Sequence, residues 1–258
     1  MAPGFQGGNS ILKPLKLYKS LHQQKYRLIE GVFPVEGPRA VQQILTTAPH
    51  TVTEIISTTE TLAGPEPECP RRVITKQQFK TISAAKNPQS PLALVTIPAG
   101  SFSDSLPDDT GPRLLLLEDI QDPGNIGTLI RTAAALGFSG IIMSDKCADP
   151  FSPRAVQASA GTILSLWIRR NSAYRAMIKK LLDNNYTFYA STMGGKSCKR
   201  IPVQPRCILA LGNEGAGLSR EVLSLAQETV AVPIDTAKAE SLNVAAAGAI
   251  LMYLLGND

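Results

Sequence analysis

Residues 114–137 read LLLLEDIQDPGNIGTLIRTAAALG. Four leucines in a row without polar alternation describe a strand covered on both faces, because a half-exposed strand would alternate. Asp122, Pro123 and Gly124 then make a turn, and Asn125 stands where a helix N-cap belongs. Apolar residues recur at helical spacing from Ile126 until Gly137 ends the helix. A buried strand, a short polar turn and a helix form one βα unit of a mostly parallel sheet.

The same alternation continues on the C-terminal side. GIIMS (140–144) reads as a strand, SPRAVQASAG (152–161) as a helix, WIRR (167–170) as a strand, and residues 173 to about 184 as a helix. Strands YTFYAS (186–191) and CILALG (207–212), a helix from Leu218, the strand TVAVPI (229–234) and a last helix SLNVAAAGAILMYLL (241–255) complete the series. That last helix is apolar nearly all round and should pack on more than one side. On the N-terminal side, strands GVFPVEG (31–37), TVTEIIS (51–57) and PLALVTI (91–97) alternate with helices PRAVQQILTTA (38–48) and TKQQFKTIS (75–83), a smaller α/β domain. Residues 100–112, GSFSDSLPDDTGP, have 11 of 13 positions as Gly, Ser, Thr, Asp or Pro and read as a linker. The expected organisation is a basic extension over 1–28, a small α/β domain over 29–99, the linker over 100–112 and a larger α/β domain over 113–258.

Composition narrows the function classes. The 258 residues carry 26 Lys plus Arg against 21 Asp plus Glu, a net charge of +5, with 43% hydrophobic residues and no apolar run near the roughly 20 residues of a bilayer span. A disordered chain and a membrane protein are excluded. Cys69, Cys147, Cys198 and Cys207 show no CxxC spacing, and His22 and His50 are the two histidines, so reduced thiols and no metal site are expected. No charged segment leads into an apolar signal core, and the cytoplasm is the expected compartment. The charge is uneven. Residues 1–29 hold Lys13, Lys16, Lys19, Lys25 and Arg27 without an acid, and residues 169–206 hold nine basic residues against Asp183 alone. Either stretch could track phosphates or be a solvated face.

Several nucleotide and hydrolase motifs fail. MGGKS (193–197) lacks the earlier glycine of a phosphate-binding P-loop, because Ala190 stands there, and Pro202 and Pro205 follow where a helix should start. Gly212, Gly215 and Gly217 have the wrong order for GxGxxG, and no GxSxG elbow exists. Three loops remain, each at the C-terminal end of a predicted strand, where open parallel sheets form ligand crevices. In the first, Arg131 lies amid Leu129, Ile130, Ala133 and Ala134 and must either snorkel or meet an anion. In the second, three glycines surround Glu214, either to let backbone approach a ligand or as a flexible turn with an acid in the next helix's first turn. In the third, Ser241 fits an N-cap and Asn243 the second helical position.

Asn125 with Arg131, then LGNEGAGL (211–218), then SLNVAA (241–246) resemble the three ordered motifs of the SpoU, or TrmH-type, RNA ribose 2′-O-methyltransferases of the SPOUT superfamily. The resemblance spans residue 114 to about 255, and more weakly FPVEGPRAV and NPQSPLALV, which are similar to a ribosomal-protein-like RNA-binding domain; Ser90 stands where that family usually has glycine. It implies a trefoil-knotted, mostly parallel sheet and a homodimer formed through the knotted domain. It implies S-adenosylmethionine as methyl donor, without metal, held largely by backbone around Leu211, Gly212, Gly217, Val232, Ile234 and Leu242. The implied reaction is an in-line displacement by a ribose 2′-oxygen. Arg131 would activate that oxygen, either deprotonated as a base or, as favoured by the high basicity of guanidinium, as a clamp on the adjacent phosphate. Asn125 would position the ribose or Arg131, Glu214 would orient Arg131 or groups near the donor, and Ser241 with Asn243 would complete the pocket. RNA contacts are expected from Lys13, Lys16, Lys19, Arg27, Arg39, Gln89 and Arg154. Large-subunit ribosomal RNA is the favoured substrate; transfer RNA, or a ribosome-associated RNA-binding protein without transfer activity, are the alternatives.

Overall fold

The computed structural model describes residues 14–60, 68–198 and 204–256, and the chain divides into two compact units between Thr96 and Ile97. In chain order the first unit consists of α1 (Leu15–Ser20), α2 (Gln24–Glu30), β1 (Val32–Glu36), α3 (Pro38–Thr47), β2 (Val52–Ser57), β3 (Arg71–Val73), α4 (Lys76–Ile82) and β4 (Leu92–Thr96). The sheet order is β1-β4-β2-β3, with β4 antiparallel to β1 and β2. Thr75 starts α4 through a capping box with Gln78. Ser90 has a structural use: its Oγ accepts from the Thr58 amide at 2.9 Å.

The described part of the expected basic extension, residues 14–28, packs into this unit, and residues 1–13 lie outside the described residues. Leu15, Tyr18 and Leu21 recur every third residue along and just past α1, and Tyr18 and Leu21 join Ile56, Phe79, Ile82 and Leu94 in one core beneath α4. Tyr18 also donates to Glu54 Oε1 at 2.6 Å, and burial beside that carboxylate pushes the phenol above its ordinary range. Counting lysines hid this apolar period. Lys16, Lys19 and Lys25 point outward, whereas Arg27 is 2% exposed and donates to the Leu21 carbonyl at 2.6 Å, so its expected RNA contact gives way to a structural one. Lys13 lies outside the described residues.

The second unit runs β5 (Arg113–Leu117), α5 (Pro123–Ala135), β6 (Gly140–Met143), α6 (Pro153–Ser159), β7 (Trp167–Arg170), α7 (Tyr174–Asp183), β8 (Thr187–Ser197), β9 (Cys207–Leu211), α8 (Arg220–Leu223), β10 (Glu228–Ala231) and α9 (Val244–Gly256). Its sheet order is β10-β8-β9-β5-β6-β7, and every neighbouring pair is parallel. Leu114 to Leu117 are all fully buried, as strand residues covered on both faces must be. Leu117 pairs with Leu211 on one side and Met143 on the other, so β9, β5 and β6 end flush. From the edge strand β10 the chain returns to lay α9 on α5 and β9, where Gly248 faces Leu129 and Leu211. Among the described residues no helix is long and apolar enough to cross a membrane. The four cysteines are free, and burial pushes the Cys207 thiol up to about 11.

Three local expectations change. Residues 100–112 are fastened to the second unit rather than loose: the carbonyls of Ser101, Ser103, Ser105 and Thr110 accept from Arg170 N, Asn171 Nδ2, Arg169 Nε and Trp167 Nε1 at 2.8, 2.6, 2.9 and 3.1 Å. Composition alone showed the lack of period but not these donors. MGGKS continues β8, and Gly195 is there because a Cβ would sit 2.7 Å from the Val230 carbonyl carbon. Most of the basic stretch is also in structural use: Arg170 donates to the carbonyls of Cys147 and Asp145, Arg175 and Arg206 stack over Tyr174 and Tyr186, and Lys196 pairs with Glu228. Lys199 and Arg200 lie outside the described residues. Lys179 and Lys180 remain on the exposed face of α7.

Candidate active site

The loops after β5, β9 and β10 meet where β5 and β9 end side by side. The sheet order changes direction at this point, because β6 lies on one side of β5 and β9 on the other. Each loop is fixed by its own short-range chemistry. Asp122 caps α5, accepting from the amides of Gly124 at 2.5 Å and Asn125 at 3.2 Å, with Pro123 at the first helical position. Asn125 is therefore not the cap expected from the sequence, and its side chain is released to face the loops. The signal was present: an Asp directly before a Pro at the start of a helical period is a cap. The same reassignment holds for α9. Asn243 Oδ1 accepts from Ala245 N at 2.9 Å and Ala246 N at 3.3 Å, so Asn243, not Ser241, precedes the helix.

With the caps corrected, three of the expected residues come together in one chain of hydrogen bonds. Asn243 Nδ2 donates to Asn125 Oδ1 at 3.1 Å, and Asn125 Nδ2 donates to Glu214 Oε1 at 2.9 Å. The Gln121 amide donates to Glu214 Oε2 at 3.5 Å, the long limit of such a bond. Residues more than 80 positions apart in sequence thus meet at the strand ends.

Asn213 is the residue the sequence reading passed over. Its Oδ1 accepts from the amides of Gly215 and Ala216 at 2.9 Å, its Nδ2 donates to the Asp119 carbonyl at 2.9 Å, and its backbone forms a bridge with Gly217. Gly217 has φ +71, which glycine adopts without strain. Asp119 holds φ 56, a left-handed conformation uncommon for a residue with a Cβ, and is steadied by Ser144, whose Oγ accepts from Asp119 N and donates to Oδ1.

Other expected residues stand apart. Arg131 is exposed and makes no hydrogen bond or ion pair among the described residues; it lies two turns along α5, a rise of about 9 Å from Asn125. Glu214 therefore orients Asn125, not Arg131. Ser241 and Leu242 are exposed. Arg154 Nη2 pairs with Asp122 Oδ2 at 2.9 Å, a solvent-exposed pair of about 0 to 1 kcal/mol that a phosphate could displace. In the first unit Arg39 and Gln89 are both exposed, and a Cβ added at Gly37, ahead of α3, would lie 3.9 Å from Gln89 Oε1.

Among the described residues no His, Cys, Asp and Glu side chains cluster as metal ligands. Gly212, Val232, Ile234 and Leu242 lie just outside the strands and helices, so their backbone groups belong to loops rather than to a sheet or helix interior. Loop main chain on two adjoining loops suits a ligand recognised through backbone, and it fits a methyl donor carrying an adenosine.

Comparison with known proteins agrees with this geometry. Residues 112–253 match the SpoU rRNA Methylase family, and residues 13–93 match the MRM3-like substrate binding domain. The 23S rRNA (guanosine(2553)-2′-O)-methyltransferase RlmP of Bacillus subtilis (strain 168) is 31% identical over 245 residues, covering 93% of this chain and 95% of that protein. The AdoMet-bound rRNA methyltransferase from Sinorhizobium meliloti superposes with a TM-score of 0.79 at 26% identity, covering 93% of each chain. A TrmH-family protein from Porphyromonas gingivalis superposes with a TM-score of 0.81 at 30% identity, covering 95% of this chain and 98% of that one.

Proposed function

The chain belongs to the SpoU rRNA methylase family, and from that membership we propose that it transfers the methyl group of S-adenosylmethionine to a ribose 2′-oxygen of large-subunit ribosomal RNA. The observation that carries this reading is the convergence of Asn125, Glu214 and Asn243 at the strand ends. S-adenosylmethionine, when bound, supplies an electrophilic methyl whose leaving group departs neutral. The protein's share is to align and activate a hydroxyl that is barely acidic at neutral pH. Arg131 holds the phosphate next to the attacking ribose and stabilises negative charge developing on the oxygen, for which a free, permanently charged guanidinium is suited. Asn125, held by Glu214 and Asn243, positions the ribose. Backbone around Leu211, Gly212 and Gly217, with Val232, Ile234 and Leu242, holds the donor.

The first unit docks the RNA, through Lys16, Lys19, Arg39 and Gln89, with Arg154 adding a phosphate contact from the second. The chain after β10 threads a loop of its own unit as a trefoil knot, a reading supported by α9's return from the sheet edge to α5. The protein works in the cytoplasm as a homodimer through this unit. Support for the dimer comes from Ala246, Ile250 and Tyr253, which form an exposed apolar stripe along α9, with Ile250 40% and Tyr253 58% exposed. Sedimentation equilibrium should find a dimer that Tyr253→Asp converts to monomer; a monomeric wild type would contradict it. The activity itself is tested with methyl-labelled S-adenosylmethionine and separated RNAs. Label should enter large-subunit ribosomal RNA and not transfer RNA. Preferential labelling of transfer RNA would overturn the substrate, and S-adenosylmethionine binding without transfer to any RNA would favour a binding protein.

A further inference from the structure

Glu118, the first residue after β5, is 3% exposed and carries a carboxylate. Its Oε1 accepts from Tyr174 Oη at 2.6 Å and Ser219 Oγ at 2.7 Å, and its Oε2 accepts from Ser219 N at 2.7 Å. Ser219 Oγ also accepts from Val222 N at 3.2 Å as the cap of α8. Behind Tyr174, Arg175 Nη1 donates to the phenol oxygen at 2.8 Å, so a cation feeds the far end of the network. A buried carboxylate gains little stability over a well-packed apolar residue, but it fixes its donors in direction and distance.

What it fixes is the loop between β9 and α8. The adjacent residue, Asp119, takes the start of that loop through Asn213 Nδ2, and Glu118 takes its end through Ser219. Two successive residues at the exit of β5 therefore grip both ends of a seven-residue segment, 213–219, whose member Glu214 reaches Asn125. Glu214 is itself exposed, so its placement depends on where the loop ends are held.

We propose that Glu118 is a positioning residue for methyl transfer: with Tyr174 and Ser219 it sets the loop that places Glu214 against Asn125. This rests on the function proposed above. Glu118 does not touch the reacting atoms. It acts through the loop, and a displacement of about 1 Å there is enough to cost on the order of 100-fold in rate.

The test uses the full chain with Glu118→Gln, which keeps the volume but leaves one acceptor oxygen in place of two, so Ser219 N and the two hydroxyls can no longer all donate to this side chain. The variant should fold, lose about 10- to 100-fold in kcat, and keep the KM for RNA. Amide exchange across residues 213–219 should accelerate while β5 and β9 stay protected. Combined with Glu214→Gln, the kcat should fall no further than in the worse single variant, because both changes disable one device. Multiplying effects, or a wild-type kcat, would overturn the proposal. Should Glu118→Gln fail to fold, Tyr174→Phe removes one donor and leaves both Ser219 bonds, and its kcat should still fall with RNA KM unchanged; a wild-type kcat there overturns the proposal equally. If the wild-type protein transfers no methyl group, the function reading fails, and unchanged loop exchange in Glu118→Gln would separately remove the grip.

Discussion

Arg131→Ala should lower methyl transfer by about 10²- to 10³-fold while leaving the fold and donor binding in place. The expectation rests on what surrounds the residue. Ile126, Leu129, Ile130 and Ala133 turn inward from α5, and Arg131 points to solvent with no partner among the described residues, so the substitution empties no cavity and orphans no buried group. Its effect on stability should stay within about 0.5 kcal/mol, as for other exposed positions. A guanidinium that contributes nothing to the fold, on a helix whose first turn carries the Asn125 cluster, is free to meet a phosphate. Single-turnover transfer assays and calorimetric titration with S-adenosylmethionine separate the two effects. Loss of donor binding together with transfer would show that Arg131 serves the donor pocket instead. Arg131→Lys discriminates further: a lysine keeps the charge and loses the planar fork, so a phosphate clamp predicts partial activity.

Gly212→Ala should remove donor binding by a different route. A Cβ at Gly212 would lie 2.3 Å from the carbonyl carbon of Gly217 and 2.4 Å from the amide nitrogen of Leu218. Both are backbone atoms, so no rotamer change relieves the clash and the loop from Asn213 to Gly217 must shift. Overpacking of this kind costs about 1 to 3 kcal/mol, and if the shift is taken up in the donor pocket the affinity for S-adenosylmethionine falls by about 10- to 100-fold. Gly215→Ala is the control. The nearest atom to its added Cβ is Asn213 Oδ1 at 3.6 Å, an ordinary contact, and its affinity should be unchanged. Equal losses in both variants would mean that loop composition, not the close approach at Gly212, governs binding.

The strand-and-helix alternation was legible because each buried strand is a continuous apolar run and each helix has its own stop. The site was legible as three loops, because glycines and isolated polar residues at strand ends stand out against apolar neighbours. What was hidden depends on donors and acceptors that pair across long separations. Asn125 and Asn243 are legible as polar residues at helix starts, but their bond to each other and that of Asn125 to Glu214 join loops 118 and 89 residues apart in sequence. Glu118 looked like the end of an apolar strand, and its three donors come from α7 and from the start of α8. Charge counting was the weakest guide. Arg27, Arg169, Arg170 and Arg206 are occupied with carbonyls and aromatic rings, so a basic stretch in sequence became a scattered set of structural contacts.

The most direct measurement identifies the chemical position of the transferred methyl. Large-subunit ribosomal RNA is incubated with the protein and S-adenosylmethionine, then hydrolysed in alkali, which cleaves every linkage whose 2′-oxygen is free. Ribose 2′-O-methylation predicts one new alkali-resistant dinucleotide that yields a 2′-O-methylnucleoside and disappears with Arg131→Ala. A methyl group found on a base, with complete alkaline cleavage, would contradict it.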